Sequence, residues 1–85
     1  MRTSESQLKN LADAISGEYK RLGIVPEYAN FSFYYPSETY GRYGYLNWDW
    51  RGEDGYLEGK QVRLPYTRRG CYDVILGMLQ VTRNF

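Results

Sequence analysis

The chain has no histidine and one cysteine among its 85 residues. Without histidine the usual general base at neutral pH is missing, which excludes most hydrolytic sites. The single thiol, Cys71, excludes an intramolecular disulfide and a cysteine-rich metal site, and such sparing use of cysteine is typical of a reducing compartment. We therefore expect a protein that is not an enzyme and that uses no cofactor or metal.

Long apolar runs are also missing, and the charge is nearly balanced. Met1 to Gln7 is polar, unlike a signal peptide, and no segment has the apolar length needed to span a membrane. The net charge of +1 gives no overall attraction for nucleic acid or an acidic membrane, so such contacts need a local patch. The sequence predicts one soluble, cytoplasmic domain over residues 1–85.

Aromatic side chains, by contrast, are abundant and concentrated in the middle of the chain. Eleven of the fifteen aromatic residues lie between Tyr28 and Tyr56. A core of this size needs far less ring surface than that. The excess indicates a sheet with an open aromatic face.

Apolar residues at spacings of three and four predict a first helix over about 5–22. Ser4 and Gln7 match a capping box at its start. Gly23 is a typical stop residue, and Pro26 prevents the helix from continuing.

A second apolar stripe begins at Cys71 and predicts a helix over about 68–82. Thr67 is its expected N-cap. Because Cys71 is in phase with this stripe, we expect a buried core thiol. The alternative is a nucleophile activated near the helix N-terminus, which predicts rapid labelling by a thiol reagent.

Between the helices, apolar and polar residues alternate in three predicted strands, which are about 27–35, 42–51 and 56–64. Turn residues at 52–55 predict a hairpin between the second and third strands. Leu57 is out of phase with Val62 and Leu64 in the third strand. A bulge at Gly59 would bring them into phase.

The order of elements predicts a small α+β domain, αβββα, with two helices on one face of a three-stranded antiparallel sheet. The alternation assigns seven residues to the helix-facing side: Phe31, Phe33, Leu46, Trp48, Trp50, Val62 and Leu64. It assigns eight residues to the opposite, open side: Tyr34, Tyr43, Tyr45, Asn47, Asp49, Arg51, Gln61 and Arg63.

The open side is the first candidate site. Tyrosine, tryptophan and arginine dominate protein–protein interfaces, so we expect protein binding, with a homodimer through self-paired faces as its simplest version. The candidate partner-binding residues are Tyr34, Tyr43, Tyr45 and Arg51. The competing interpretation is a solvated face, on which Arg42 and Arg51 merely lie over tyrosine rings.

A run of basic residues supports nucleic-acid binding as the alternative function. Lys60, Arg63, Arg68 and Arg69 fall within ten residues, with no acidic residue between positions 59 and 72. Arg68 and Arg69 begin a helix, where cations oppose the helix dipole, and a bound anion, either a phosphate or a partner's carboxylate, would relieve the conflict. The four basic residues are therefore the candidate anion or phosphate contacts. The tyrosines would then stack on unpaired bases.

Acidic residues at the hairpin weigh against that alternative: Asp49, Glu53, Asp54 and Glu58. They also offer oxygen ligands for a divalent cation. Their spacing matches no calcium-binding loop, so we interpret them as a solvated hairpin tip.

Two resemblances follow from the order of elements and from local motifs. The order is similar to that of double-stranded RNA-binding domains, but the chain lacks the lysine-rich start of their second helix, so RNA binding is not inferred from it.

The second resemblance is carried by eleven motif residues: Tyr40, Gly41, Tyr43, Gly44, Tyr45 and Leu46, followed by Thr67, Arg69, Tyr72, Leu76 and Gly77. With these the chain resembles small, mostly uncharacterised proteins of phages and other mobile elements, which have an N-terminal helix, a Gly- and Tyr-rich hairpin and a Thr-x-Arg helix. The resemblance implies an accessory protein that acts by binding, and it implies no activity or catalytic residue.

Overall fold

A computed structural model describes residues 3–85. Five elements follow one another along the chain: α1 (Glu5–Arg21), β1 (Asn30–Tyr34), β2 (Tyr45–Arg51), β3 (Leu57–Arg63) and α2 (Arg68–Thr82). The strands form one antiparallel sheet in the order β1-β2-β3. The predicted αβββα order and the small α+β fold are confirmed.

The capping box that the sequence predicts at the start of α1 is present. The backbone N–H of Gln7 donates to Ser4 Oγ at 3.2 Å, and the backbone N–H of Ser4 donates to Gln7 Oε1 at 2.9 Å. Gly23 has a φ of 73° just beyond the helix, a conformation that only glycine adopts at little cost. Local sequence chemistry therefore sets both ends of α1.

The start of α2 depends on a cap and on a close contact. Thr67 Oγ1 accepts a hydrogen bond from the backbone N–H of Gly70 at 3.0 Å, which confirms the predicted N-cap. A Cβ at position 70 would lie 2.7 Å from Thr67 Oγ1 and 2.8 Å from Pro65 Cβ. Gly70 is needed here because there is no room for a side chain beside the cap.

The register of β2 with β3 runs without interruption from Tyr45↔Arg63 to Arg51↔Leu57. The predicted bulge at Gly59 was therefore wrong. Leu57 is out of phase because its side chain lies on the open side of the sheet, where it is 71% exposed. Leu64 is buried on the other side. Exposing one leucine keeps the whole ladder of hydrogen bonds intact.

The core lies between the two helices and one face of the sheet. Its buried members are Leu8, Ala12, Ile15, Val25, Ala29, Leu46, Trp48, Leu64, Cys71, Ile75 and Leu79. Trp48 is the largest of them, and its ring stacks on Tyr19 with centroids 4.8 Å apart. Phe31, Phe33, Trp50 and Val62 are half-buried at the margins of this core, on the side that the alternation assigned to them.

Candidate functional site

Strand pairing places eleven residues on the side of the sheet away from the core, and we call this side the open face. They are Asn30, Ser32 and Tyr34 in β1, Tyr45, Asn47, Asp49 and Arg51 in β2, and Leu57, Gly59, Gln61 and Arg63 in β3. In the described residues both helices contribute their buried side chains to the opposite face. The alternation therefore predicted the two faces of the sheet correctly.

Tyrosines meet at one end of the open face, where β1 ends and β2 begins. Tyr34 and Tyr45 are directly opposite each other in the register of the two strands. They line an open groove of about 610 Å³, which we call the tyrosine groove, together with Tyr35, Gly41, Arg42 and Tyr43. Tyr34 is 54% exposed and Tyr43 is 41% exposed, so both rings are available to a partner.

The connection from β1 to β2 places the second wall of this groove. Ser37 and Arg42 exchange two backbone hydrogen bonds of 2.9 Å, which close the connection into a tight loop. Gly41 has a φ of 62°, which glycine adopts easily and which turns the chain back towards β2. The loop thereby brings Arg42 and Tyr43 next to Tyr34.

Tyr43 also connects the groove to a cation and to a further ring. The Arg63 guanidinium carbon lies 4.6 Å from the centroid of the Tyr43 ring. The Tyr66 ring meets Tyr43 edge-on, with centroids 6.0 Å apart and an angle of 79°. Contacts of both kinds hold an aromatic side chain in place at a surface.

Arg51, the fourth predicted partner-binding residue, is at the opposite end of β2 from Tyr45. The two residues are six positions apart along the strand, a distance of about 20 Å. Its Nη1 donates to the carbonyl of Gly55 at 2.8 Å, within the β2–β3 hairpin. Arg51 therefore lies outside the tyrosine groove and stabilises the hairpin. Arg42 lies over a ring of the connection between β1 and β2 rather than over a ring of the open face, with its guanidinium carbon 5.5 Å from the Tyr40 centroid.

The four predicted anion-contact residues are spread over different surfaces. Lys60 pairs with Trp48 in the sheet and so lies on the helix side, whereas Arg63 lies on the open face. At the start of α2, Arg68 forms an ion pair with Glu5, with its Nη2 atom 2.9 Å from Glu5 Oε1. The Arg69 Nε atom is 3.3 Å from Asp73 Oδ1. Residues that are close in the sequence thus form no single basic patch.

A second open groove, of about 690 Å³, lies at the start of α2. Its lining is polar and of mixed charge: Thr3, Pro36, Ser37, Glu38, Thr39, Tyr66, Thr67, Arg68 and Arg69. Both arginines already have carboxylate partners, and Glu38 adds a negative charge to the lining. The predicted role of Arg68 and Arg69 in holding a phosphate therefore gains no support from their surroundings.

Cys71 is a buried core residue, as the sequence predicts. Its S–H donates to the carbonyl of Pro65, with the sulfur 3.1 Å from that oxygen. Burial raises the pKa of the Cys71 thiol to about 11, and burial likewise raises the pKa of Tyr19. A thiol that stays protonated and buried is a poor nucleophile.

Residues 3–85 contain neither a cluster of metal-ligating side chains nor a membrane-spanning helix. In that part of the chain no three His, Cys, Asp or Glu side chains come close enough to hold a metal ion. In the same part, neither α1 nor α2 has the length and apolar character needed to cross a membrane.

Sequence reasoning missed Tyr35 and Tyr66 at the groove, and it considered Arg42 only as a cation over tyrosine rings, not as a binding residue. Tyr35 and Arg42 lie just outside β1 and β2, where alternation no longer tells which way a side chain points. The only signal for them was Pro36 and Gly41, which mark a loop short enough to bring them together. For Tyr66, which follows Pro65, the sequence held no signal at all.

The chain matches no protein-family model, no curated protein and no solved structure. The resemblance to phage and mobile-element proteins therefore stays a prediction from the sequence.

Proposed function

We propose that this chain is a non-enzymatic binding domain that contacts a partner protein through the tyrosine groove of its open face. The observation that carries the proposal is the meeting of four tyrosines and Arg42 in one exposed groove. Tyrosine and arginine are the residue types most enriched among those that dominate interface energy. The tyrosine side chain combines the apolar area of its ring with a hydroxyl group that tolerates water, which suits a surface that is solvated when free.

The groove is also well organised before binding. Strand pairing fixes the backbone of Tyr34 and Tyr45, and contacts with Arg63 and Tyr66 hold the ring of Tyr43. Side chains that are already ordered lose little entropy when a partner binds. Arg42 in the lining and Arg63 beside it favour a partner surface that carries a carboxylate.

In this proposal the protein is a cytoplasmic accessory protein. The accessory role is what its resemblance to phage and mobile-element proteins implies, and the cytoplasmic location is the expectation from its cysteine content and polar N-terminus. Its activity is the contact itself, and no residue has a catalytic role. Cys71 serves the core.

Site-specific photo-crosslinking tests the proposal in cells that express the chain naturally. A photoreactive phenylalanine analogue at Tyr34 is expected to give a protein adduct, and the same analogue at Tyr56 is the matched control. Tyr56 is more exposed, at 74%, but it lies in the hairpin at the other end of the sheet. The Tyr34 adduct should disappear when Tyr43→Ala and Tyr45→Ala are combined in the same chain. Equal adducts from positions 34 and 56 would mean that the groove has no special role.

One observation keeps nucleic-acid binding as the second candidate. Arg63 lies over Tyr43 at the edge of the groove, so a cation and an exposed ring are adjacent, as in proteins that bind single strands. It ranks second because Lys60, Arg68 and Arg69 lie elsewhere.

Fluorescence anisotropy with a mixed-sequence single-stranded oligonucleotide separates the two candidates. Nucleic-acid binding predicts an affinity that falls steeply between about 50 mM and 200 mM salt, with a weaker dependence after Arg63→Gln. Protein binding through the groove predicts no oligonucleotide affinity and a partner adduct that persists at high salt.

A further inference from the structure

β1 is an edge strand of the sheet, and none of its five residues is charged. Of the strands in residues 3–85, only β2 pairs with it. Its sequence, Asn-Phe-Ser-Phe-Tyr, contains no charged residue, proline or glycine. The other edge, β3, carries Glu58, Lys60 and Arg63. Charged residues protect edge strands from pairing with another chain, and β1 lacks this protection.

Hydrogen bonds at the two ends of the β2–β3 ladder show which backbone groups of β1 point outward. Gly52 N–H donates to the Tyr56 carbonyl at 2.9 Å, and Leu64 N–H donates to the Gly44 carbonyl at 2.7 Å. The even-numbered residues of β2 therefore bond to β3, and its odd-numbered residues bond to β1.

The register of β1 with β2 completes this assignment. Residues 30, 32 and 34 are opposite odd-numbered residues of β2, so their backbone groups point into the sheet. The backbone N–H and C=O groups of Phe31 and Phe33 point to the outer edge instead. They are a pair of donors and acceptors that another extended strand can join.

We propose that β1 pairs antiparallel with β1 of a second copy of this chain, about a two-fold axis at Ser32. In that register Phe31 of each copy lies opposite Phe33 of the other, and the four outward backbone groups of each copy make four hydrogen bonds between the copies. The two phenylalanines also lie side by side on the helix-facing side, an arrangement that stabilises neighbouring strands.

A second copy fits this edge because the edge is complementary to itself. In this register Ser32 faces its own copy and every other residue of β1 faces another residue of the same strand, so a charge at the axis would face a like charge. β1 has none. Lys9 is near Phe31, 5.8 Å from its ring centroid, and its charge is balanced by Asp13 at 2.8 Å.

The assembly closes at two chains. Pairing of the two β1 strands gives a six-stranded sheet whose outer edges are the two β3 strands, and the charged residues of β3 oppose further growth. The two-fold axis is perpendicular to the sheet, so both open faces lie on the same side. A dimer of this kind presents two tyrosine grooves to a partner, but pairing at β1 does not depend on what those grooves bind.

Charge pairing at Ser32 tests the dimer by light scattering after size-exclusion chromatography. The wild-type chain is expected at twice the 10.0 kDa mass of one copy. At the two-fold axis the two copies of residue 32 face each other at about 4.5 Å between Cα atoms. Ser32→Lys and Ser32→Glu should therefore each give monomers, and an equal mixture of the two variants should regain the dimer mass. Gln61→Lys and Gln61→Glu, on the same face at the β3 edge, should remain dimeric.

Amide hydrogen exchange gives a test that needs no variant. The amides of Phe31 and Phe33 should become protected as protein concentration rises, whereas the amides of β3 should not change. A wild-type chain that stays monomeric at every concentration would overturn the proposal. So would a dimer that survives both Ser32 substitutions, or one that Tyr43→Ala with Tyr45→Ala dissociates, since the copies would then meet through the open face.

Discussion

The indole N–H of Trp48 donates a hydrogen bond to Ser16 Oγ at 3.1 Å, inside the core. Trp48 is in the middle of the central strand and is fully buried, and Ser16 in α1 is 6% exposed. This bond fixes the helix against the sheet at one place. It also satisfies the polar atom of the largest buried side chain, which would otherwise lose a hydrogen bond to water on folding.

Ser16→Ala is expected to lower the free energy of unfolding by about 1–3 kcal/mol, because it leaves the buried indole N–H without an acceptor. Ser6→Ala is the matched control, since Ser6 is in the same helix but exposed. Its effect should stay within about 0.5 kcal/mol. Denaturant unfolding followed by tryptophan fluorescence measures both. Equal effects of the two substitutions would mean that the bond does not contribute.

Gly44→Ala is expected to destabilise the fold by about 1–3 kcal/mol, because its Cβ would lie 2.9 Å from Cys71 Sγ. Adding Cys71→Ala should recover part of that loss, so the two effects should not be additive. Gly17→Ala is the control. In the described residues, apart from the backbone of α1 itself and the two neighbouring residues, no atom lies within 4 Å of a Cβ at position 17, and removing glycine from a helix interior should stabilise by about 0.5–1 kcal/mol. Thermal melts of Gly44→Ala, Cys71→Ala, their double variant and Gly17→Ala test the contact, and additive losses would contradict it.

Cys71 should make stability fall at high pH. Burial raises the pKa of this thiol from 9.0 to about 11, so the folded state holds the proton more tightly than the unfolded chain does. The resulting stabilisation is complete below pH 9 and is lost as the pH rises to about 11. Denaturant unfolding at both ends of this interval measures the loss, and the Cys71→Ala variant should lose less than the wild type. Identical pH profiles would show that the thiol does not contribute.

Labelling of Cys71 by a thiol reagent near neutral pH should be slow in the folded protein and fast in denaturant.

Two leucines in and beside β3 test the register that excludes a bulge. Leu64→Ala should cost about 2–5 kcal/mol, because Leu64 is fully buried. Leu57→Ala should change stability by less than about 0.5 kcal/mol, because its side chain lies on the open face. Chemical denaturation of both variants measures the difference. A large loss from Leu57→Ala would mean that this residue is packed in the core.

Much of the fold follows from local patterns in the sequence. The periodicity of three and four placed both helices to within a residue at each end, since Ser4 and Thr67 supply caps that any helix needs at its start. Alternation assigned the faces of the sheet correctly because successive strand residues point to opposite sides regardless of what packs on them. It failed at Leu57, where hydrophobicity was taken as a sign of burial.

The candidate site was only partly predictable. Tyr34 and Tyr45 were found because they lie within strands, and Tyr43 because it lies close to one. Arg51 was assigned correctly to the open face but lies outside the groove, because a shared face does not mean proximity when a strand is seven residues long. The basic patch was misjudged for a related reason. Residues 60 and 63 point to opposite sides of β3, and the chain then turns at Pro65 into α2.

The sequence by itself determined the element order, the caps, the covered and open faces and the buried thiol, because each depends on residues within a few positions of one another. Only the tertiary structure decided which tyrosines share a groove, that Arg63 lies over Tyr43, and that Arg68 pairs with Glu5 from the other end of the chain. Such contacts depend on register and on how loops return the chain. The free energy that fixes them comes from the core as a whole and is not encoded at any one position.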